Sequence, residues 1–262
     1  MNQQGEKKLS KWLMETGFPL EMRVALALSR TGFDVQQSYI YPDPESGKGR
    51  EIDVIASYPD FIGRVQVSYV FECKASKNPW IVFTSDAAAT NYNKWYGFSV
   101  RSSAADKELS DRVPKGLRVL QPYLEQYEVR GYGFRQAFGN ESDPAYSAAV
   151  SVLKACHALT QERLNYPRKA FSFPILVIDS PLYECSLVDE AEEPCLVAVE
   201  RSRFHFSAYI PERVSSCVTV LSLASLPAFS DWAYKFAELI YEELGYEKDI
   251  LSLKADRESR PS

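Results

Sequence analysis

Apolar residues recur near helical spacing from about Ser10 to Arg30, at Trp12, Leu13, Leu20, Val24, Ala27 and Leu28, which predicts helix. Pro19 divides the stretch into a short lead-in and a main helix, since proline suits a first turn and disrupts an interior one. Gly32 stands where a glycine just past the last helical residue is expected. Alternation then takes over. Phe33 to Tyr41 reads as a strand, Pro42 to Gly49 as a turn-rich loop, and Arg50 to Tyr58 as a second strand. In that second strand Ile52, Val54 and Ala56 are expected on one face, with Glu51, Asp53 and Ile55 on the other. Pro59 to Gly63 reads as a hairpin connection and Arg64 to Ala75 as the returning strand.

Beyond Ala75 the pattern is less regular. Ser85 to Trp95 and Asp106 to Tyr127 have helical stretches, interrupted at Pro114 and Pro122. Ser142 to Leu164 is expected as a helix with Asp143 as its cap, and Phe171 to Asp179 as a buried central strand. Cys195 to Arg201, Phe204 to Ile210 and Cys217 to Leu223 read as further strands, and Asp231 to Leu244 as an amphipathic helix ended by Gly245. No internal repeat or low-complexity linker divides the chain. The expectation is one α/β domain over residues 1–250, with a mixed central sheet flanked by helices and a polar tail at 251–262. Its core would run from about 11 to 76 and include the strand near 171–179. A largely helical elaboration would occupy about 77–164, with additional strands and the closing helix at 182–245.

Composition narrows the class. At 262 residues, 45% hydrophobic and 13% aromatic, the chain can bury a substantial core. The polar opening has no apolar signal-peptide core, and runs such as Pro174 to Ile178 are strand-length, so no membrane association is expected. Five scattered cysteines without a C-x-x-C pair argue against a disulfide framework and a structural zinc, and fit a cytoplasmic location. The net charge of −5 does not exclude a nucleic-acid partner, because phosphate binding needs only local positive surface. Two segments offer it: Lys94, Arg101, Lys107, Arg112, Lys115 and Arg118, and then Lys154, Arg163, Arg168 and Lys169. Both read equally well as solvated helix faces. Acid collects at Asp189 to Glu193 and Glu238 to Asp249.

Candidate chemistry concentrates in Ile52-Asp53-Val54-Ile55 and Phe71-Glu72-Cys73-Lys74. Residues two apart on a strand share a face, so Glu72 and Lys74 should point together and Cys73 away. If the hairpin pairs the two strands, Asp53 lies beside Glu72 on that face. Two carboxylates suit a hard divalent cation such as Mg²⁺ or Mn²⁺, with the Cys73 carbonyl as a third oxygen. Lys74 would orient a water or stabilise charge building on phosphorus. The spacing E-x-K occurs twice, but Glu6-Lys7-Lys8 lies in a polar stretch. Only Glu72-Cys73-Lys74 ends an apolar strand, where charge is costly unless it is paired or used.

Leu20-Glu21 early in a helix, Gly32-Phe33-Asp34-Val35 after it, Arg50-Glu51-Ile52-Asp53-Val54-Ile55-Ala56 and Glu72-Cys73-Lys74 together resemble the PD-(D/E)XK, or restriction-endonuclease-like, nuclease superfamily. The resemblance covers about residues 18–76 and departs from the family at its namesake proline, where Ile52 stands. It implies an α-β-β-β-α-β core, Mg²⁺ or Mn²⁺ dependence, and phosphodiester hydrolysis by metal-activated water, with DNA favoured over RNA. It further implies Asp53 and Glu72 as metal ligands, Lys74 as the water-positioning lysine, and Glu21 completing the metal site directly or through water. Glu51 is the reserve ligand, and the literal Pro42-Asp43 is assigned a turn role. So short a chain has little room for a separate recognition domain, so a homodimer or a partner subunit is also expected.

Other features carry less. Gly131 to Gln136 looks superficially like a phosphate-cradling loop but reads as a turn, from which Gln136 could approach a substrate. His157 reads as a packed or capping residue in a helix, and neither it nor His205 has an evident catalytic partner. Alternating Phe204, Phe206 and Tyr209 are core rings or base-stacking rings. Asn140-Glu141-Ser142 is a glycosylation sequon without meaning in a cytoplasmic protein. The rival to a nuclease is a nuclease-like fold that binds nucleic acid, or serves assembly, without cutting.

Overall fold

A computed structural model describes residues 3–14, 16–60, 63, 65–90, 93–125, 128–139, 143–161, 168–187 and 193–244. The expected helix stop at Gly245, the sequon, Arg163, most of the acidic run at 189–193, the acid beyond Leu244 and the tail lie outside these residues. The helices are α1 (Gln3–Met14), α2 (Phe18–Thr31), α3 (Asp86–Thr90), α4 (Ser103–Arg112), α5 (Gln121–Glu125), α6 (Pro144–Thr160) and α7 (Leu226–Leu244). The strands are β1 (Asp34–Pro42), β2 (Gly49–Ser57), β3 (Val65–Lys74), β4 (Trp80–Thr84), β5 (Val100–Arg101) and β6 (Gly131–Gln136), followed by β7 (Lys169–Ile178), β8 (Leu182–Ser186), β9 (Cys195–Val199), β10 (Arg201–Ile210) and β11 (Glu212–Ser222).

The chain is an α/β protein built on one large mixed sheet. Its strand order is β1-β2-β3-β7-β11-β10-β6-β4-β8-β9, with β5 also paired to β7. β1, β2 and β3 are antiparallel neighbours, and β7 joins β3 in parallel, a pairing that needs the long crossover between them. The apolar run Phe171 to Ile178 is buried throughout and central, as its unbroken hydrophobicity predicts. Helices cover both faces. One apolar cluster joins α2, α4 and α7 to Val54, Ala56, Val67, Tyr69 and Phe71. The other joins α6 to Ile52, Ile55, Val70, Leu176 and Ile178. No helix among the described residues is long and apolar enough to cross a membrane. The five cysteines are free thiols.

Local chemistry explains the elements. α2 opens with Pro19 in its first turn and closes on Gly32 at φ 107°, where Phe33 N–H reaches the Leu28 carbonyl and Gly32 N–H that of Ser29. The Asp143 carboxylate caps α6 by accepting the Tyr146 N–H at 3.0 Å. The polar opening, expected only as a lead-in from Ser10, is helical from Gln3. α7 begins five residues earlier than its periodicity suggests.

Two expectations are corrected. Residues 77–164 are not largely helical: they supply β4, β5 and β6 to the sheet, while the helical prediction for Ser85 to Trp95 shrinks to α3. Gly131 to Gln136 is strand, not turn. Its glycine is needed because a Cβ at Gly131 would lie 2.3 Å from the Arg203 carbonyl oxygen and 2.7 Å from the Phe204 Cβ. Close approach of two backbones, rather than a turn, accounts for that glycine. Gly131→Ala should therefore cost about 2 kcal/mol of stability by urea unfolding. Gly133→Ala, whose Cβ would meet only the Phe83 ring at 3.4 Å, should be nearly neutral. Equal losses would contradict this account of β6.

Candidate functional site

The antiparallel ladder between β2 and β3 runs from Ser57↔Ser68 to Val54↔Phe71 and stops there. Continued by one step, it would pair Asp53 with Glu72. Instead the Asp53 carboxylate turns into the gap and accepts the Cys73 backbone N–H at 2.6 Å. The neighbouring ladder is interrupted at the same level. β1 pairs with β2 on either side of Ser38 and Asp53 but not through them, and Ser38 adopts a left-handed φ of 51°. That conformation is uncommon for a residue bearing a Cβ and marks a local distortion.

The distortion changes which face later side chains use. Val54 and Ala56 pack towards α2 and α7, as expected, but Ile52 joins Ile55 on the α6 side. The predicted grouping of Ile52 with Val54 and Ala56 is thus corrected, because strict alternation fails at Asp53. Asp53 is likewise not simply on Glu72's face; its carboxylate enters the site through the space between the two strands.

Glu72 and Lys74 do point together, and Cys73 away. Lys74 Nζ donates to Glu72 Oε1 at 2.6 Å, while Cys73 is buried in the cluster on the α2 side. Glu72 Oε2 accepts the Ser151 hydroxyl from α6 at 3.2 Å. Ser151 lies 79 residues downstream and had no signal in the sequence, since only tertiary packing brings α6 to β3. The Tyr41 hydroxyl is buried on this side without a hydrogen-bond partner, and its pKa is pushed up to about 12 by burial and then by Asp43. From the opposite side Glu21 approaches in the first turn of α2. Its pKa is raised by burial and then by Glu51 and Glu72, against the opposing effect of Lys74. Glu51, the reserve ligand, is therefore close enough to Glu21 to repel it.

Asp53 feels this environment most. Burial first, and the Glu72 charge second, push its pKa up to about 7, although the Cys73 N–H and Lys74 act in the other direction. Lys74 is partly desolvated, which lowers its pKa, but Glu72 more than compensates and keeps it protonated. Lys74 is therefore a cationic donor and not a base.

The donors suit a small hard cation. Among the described residues, no three His, Cys, Asp or Glu side chains form a group that could hold a metal unaided. Mg²⁺ needs no such cage, because one or two carboxylates with waters and phosphate complete its octahedron. Asp53 and Glu72 supply that number. A third oxygen is at hand: N–H and C=O of one residue point to the same side of an extended strand, so the Cys73 carbonyl faces the gap that Asp53 occupies. A divalent ion there would also relieve the repulsion that raises the Asp53 pKa.

Other candidates resolve differently. Asp43 is 2% exposed and fully engaged, accepting the Glu45 and Ser46 N–H groups, Arg50 Nε at 2.6 Å and Lys154 Nζ at 3.3 Å. It anchors the turn, as assigned. Gln136 donates to Ser76 Oγ at 2.6 Å, two residues beyond Lys74. His157 is buried beside Gln161, and His205 sits mid-strand opposite Cys217.

The second basic segment is split by the fold: Lys154 follows Ser151 by one turn of α6, whereas its other end lies far from the site. Lys169 pairs with Val65 at the far end of the ladder that places Lys74 beside Ile178, a distance of about 30 Å along the strands. Five charges of the two basic segments are also committed. Arg101 binds Asp106, Arg112 and Lys169 both bind Glu108, Arg118 binds Glu242, and Lys154 binds Asp43 and Glu45.

The Asp53 shift makes stability depend on pH. Between about pH 4 and about 7 the folded protein retains a proton that the unfolded chain releases, so Asp53 makes stability fall as pH rises through that window. Asp53→Asn keeps an acceptor for Cys73 and removes the titration. Its stability relative to wild type, from urea unfolding, should therefore improve across that window. A difference that stays constant with pH would remove the electrostatic account of the cluster.

No family model matches the chain, nor does any curated protein or solved structure.

Proposed function

We propose that the chain is a Mg²⁺- or Mn²⁺-dependent phosphodiesterase acting on nucleic acid, with a restriction-endonuclease-like core formed by α2, β1, β2, β3, α6 and β7. The observation that carries the reading is the meeting of Asp53, Glu72 and Lys74 where β2 parts from β3. The same element order, and Glu21 entering from the helix before β1, add to it.

Asp53, Glu72 and the Cys73 carbonyl would hold the cation. When bound, it would polarise the phosphoryl oxygen and lower the pKa of a water molecule. The protein's own groups do the rest. Lys74, kept protonated by Glu72, directs an N–H at the attacking water or at charge growing on the phosphoryl oxygens. The Ser151 hydroxyl fixes the second oxygen of Glu72, so that the carboxylate presents one orientation. Glu21 adds negative charge at the rim and would help hold the cation directly or through water.

DNA is the favoured polymer. Purified protein incubated with DNA or RNA should cleave only when Mg²⁺ or Mn²⁺ is added. Asp53→Ala should abolish cleavage, and Lys74→Ala should slow it by roughly a hundredfold or more, both proteins remaining folded by circular dichroism. Binding without metal-dependent cleavage in all three proteins would instead favour a nucleic-acid-binding module that does not cut.

A further inference from the structure

A second feature lies on the α6 side of the sheet. A cleft of about 370 Å³ opens between β6, β10 and the first turns of α6, within the size range of pockets that bury small planar ligands. Its walls are aromatic. Phe83 and Tyr132 approach at 6.4 Å between ring centres on one side, and Tyr146 meets Phe206 edge-on at 5.8 Å on the other. Behind them Phe134 and Phe204 are buried and stacked at 5.2 Å. The two tyrosines at the mouth are 61% and 54% exposed, so large ring faces meet water instead of the core. Gly133 contributes no side chain to the lining and leaves the space between the rings open.

Charge at the mouth is mixed but positive where it can move. Among the described residues, Arg135 is the one group of the lining that is charged at neutral pH. Its 3.1 Å pair with Asp143 is largely in solvent, a kind of pair that exchanges readily for another anion. A ligand with a flat aromatic part and an attached phosphate would satisfy both the rings and this guanidinium. Two elements of the cleft also reach the candidate site. Tyr146 and Ser151 both lie on α6, about 7.5 Å apart along its axis and turned to different sides of it; Ser151 touches Glu72. β6, which supplies Tyr132, ends at Gln136 on Ser76.

We propose that this cleft stacks an unpaired base of the strand being cut, so that the preferred substrate is single-stranded or locally unpaired nucleic acid. The inference rests on the phosphodiesterase reading and narrows its substrate. Bases within a duplex already cover each other's faces, whereas an unpaired base presents its ring to aromatic side chains. DNA and RNA share that ring chemistry, and the test includes both.

Binding is measured by fluorescence anisotropy in chelator, using labelled single strands of about 12 nucleotides, a length typical of such sites, as DNA and as RNA, beside the matching duplexes. The proteins are wild type, the pair Tyr132→Ala with Tyr146→Ala, the pair Tyr132→Phe with Tyr146→Phe, and Asp53→Ala. Wild type should bind single strands more tightly than duplex. The alanine pair should lose about tenfold of single-strand affinity with duplex affinity unchanged, and the phenylalanine pair should retain it. Tyrosine-dependent binding of either polymer supports the cleft, and the tighter arm names the polymer. Unchanged single-strand affinity in the alanine pair, equal loss in both pairs, or no binding by wild type would overturn it. Tyrosine-dependent binding by wild type and Asp53→Ala without metal-dependent cleavage would sink the phosphodiesterase reading alone. Metal-dependent cleavage indifferent to the alanine pair would sink the cleft alone.

Discussion

The hydrogen bond from the Cys73 N–H to the Asp53 carboxylate closes the β2–β3 ladder with a side chain where a backbone carbonyl would ordinarily stand. Three consequences follow from that substitution. The strands part beyond Val54 and Phe71, which opens a gap at the end of an otherwise continuous sheet. A carboxylate is fixed in that gap by a backbone donor, so its position does not depend on a mobile side-chain contact. Finally, the lateral side of Cys73 no longer answers to β2, leaving its carbonyl available. The left-handed Ser38 across from Asp53 belongs to the same distortion, and such strain is commonly stored where a site needs it.

Electrostatics then sets the character of the gap. Three carboxylates, Glu21, Asp53 and Glu72, share one ammonium, Lys74, and burial first, then their mutual repulsion, raises the pKa values of Asp53 and Glu21. Two such groups raise one another's pKa unless a cation intervenes. The arrangement is therefore costly as a structural ion pair, because Lys74 is shared too thinly to neutralise it. A divalent ion, as proposed, would offset it. Asp43 provides the internal contrast: also an acid on the α6 side, it is surrounded by Arg50, Lys154 and two backbone donors, and its pKa is driven well below the usual carboxylate range despite burial. One carboxylate is satisfied; the other group of carboxylates is held short of cation.

Much of this was legible in the sequence because it is local. Pro19 and Gly32 bound α2, the apolar run at Phe171 marks β7, and the i, i+2 spacing puts Glu72 and Lys74 on one face. The single-residue failure of alternation at Asp53 was not legible, because it depends on Ser38 in the partner strand and displaces Ile52 to the other core. β6 was hidden by its glycines, of which Gly131 serves a close approach to Arg203 and Phe204 far along the chain. Trp80 to Thr84 is a run of aromatic and β-branched residues, so β4 did carry a local signal that the helical reading of its surroundings obscured. Charge misled for the same reason as Ser151 was missed: the pairing of Arg101, Arg112 and Lys154 with acids, and of Ser151 with Glu72, is decided by packing.

Everything above depends on a divalent cation settling between Asp53 and Glu72. Crystals grown with Mn²⁺, with diffraction recorded where manganese scatters anomalously, test this directly. The account predicts one strong peak about 2.1 Å from a carboxylate oxygen of each residue, absent from crystals of Asp53→Asn. A map with no peak in that gap, or with manganese held only by other carboxylates, would contradict it.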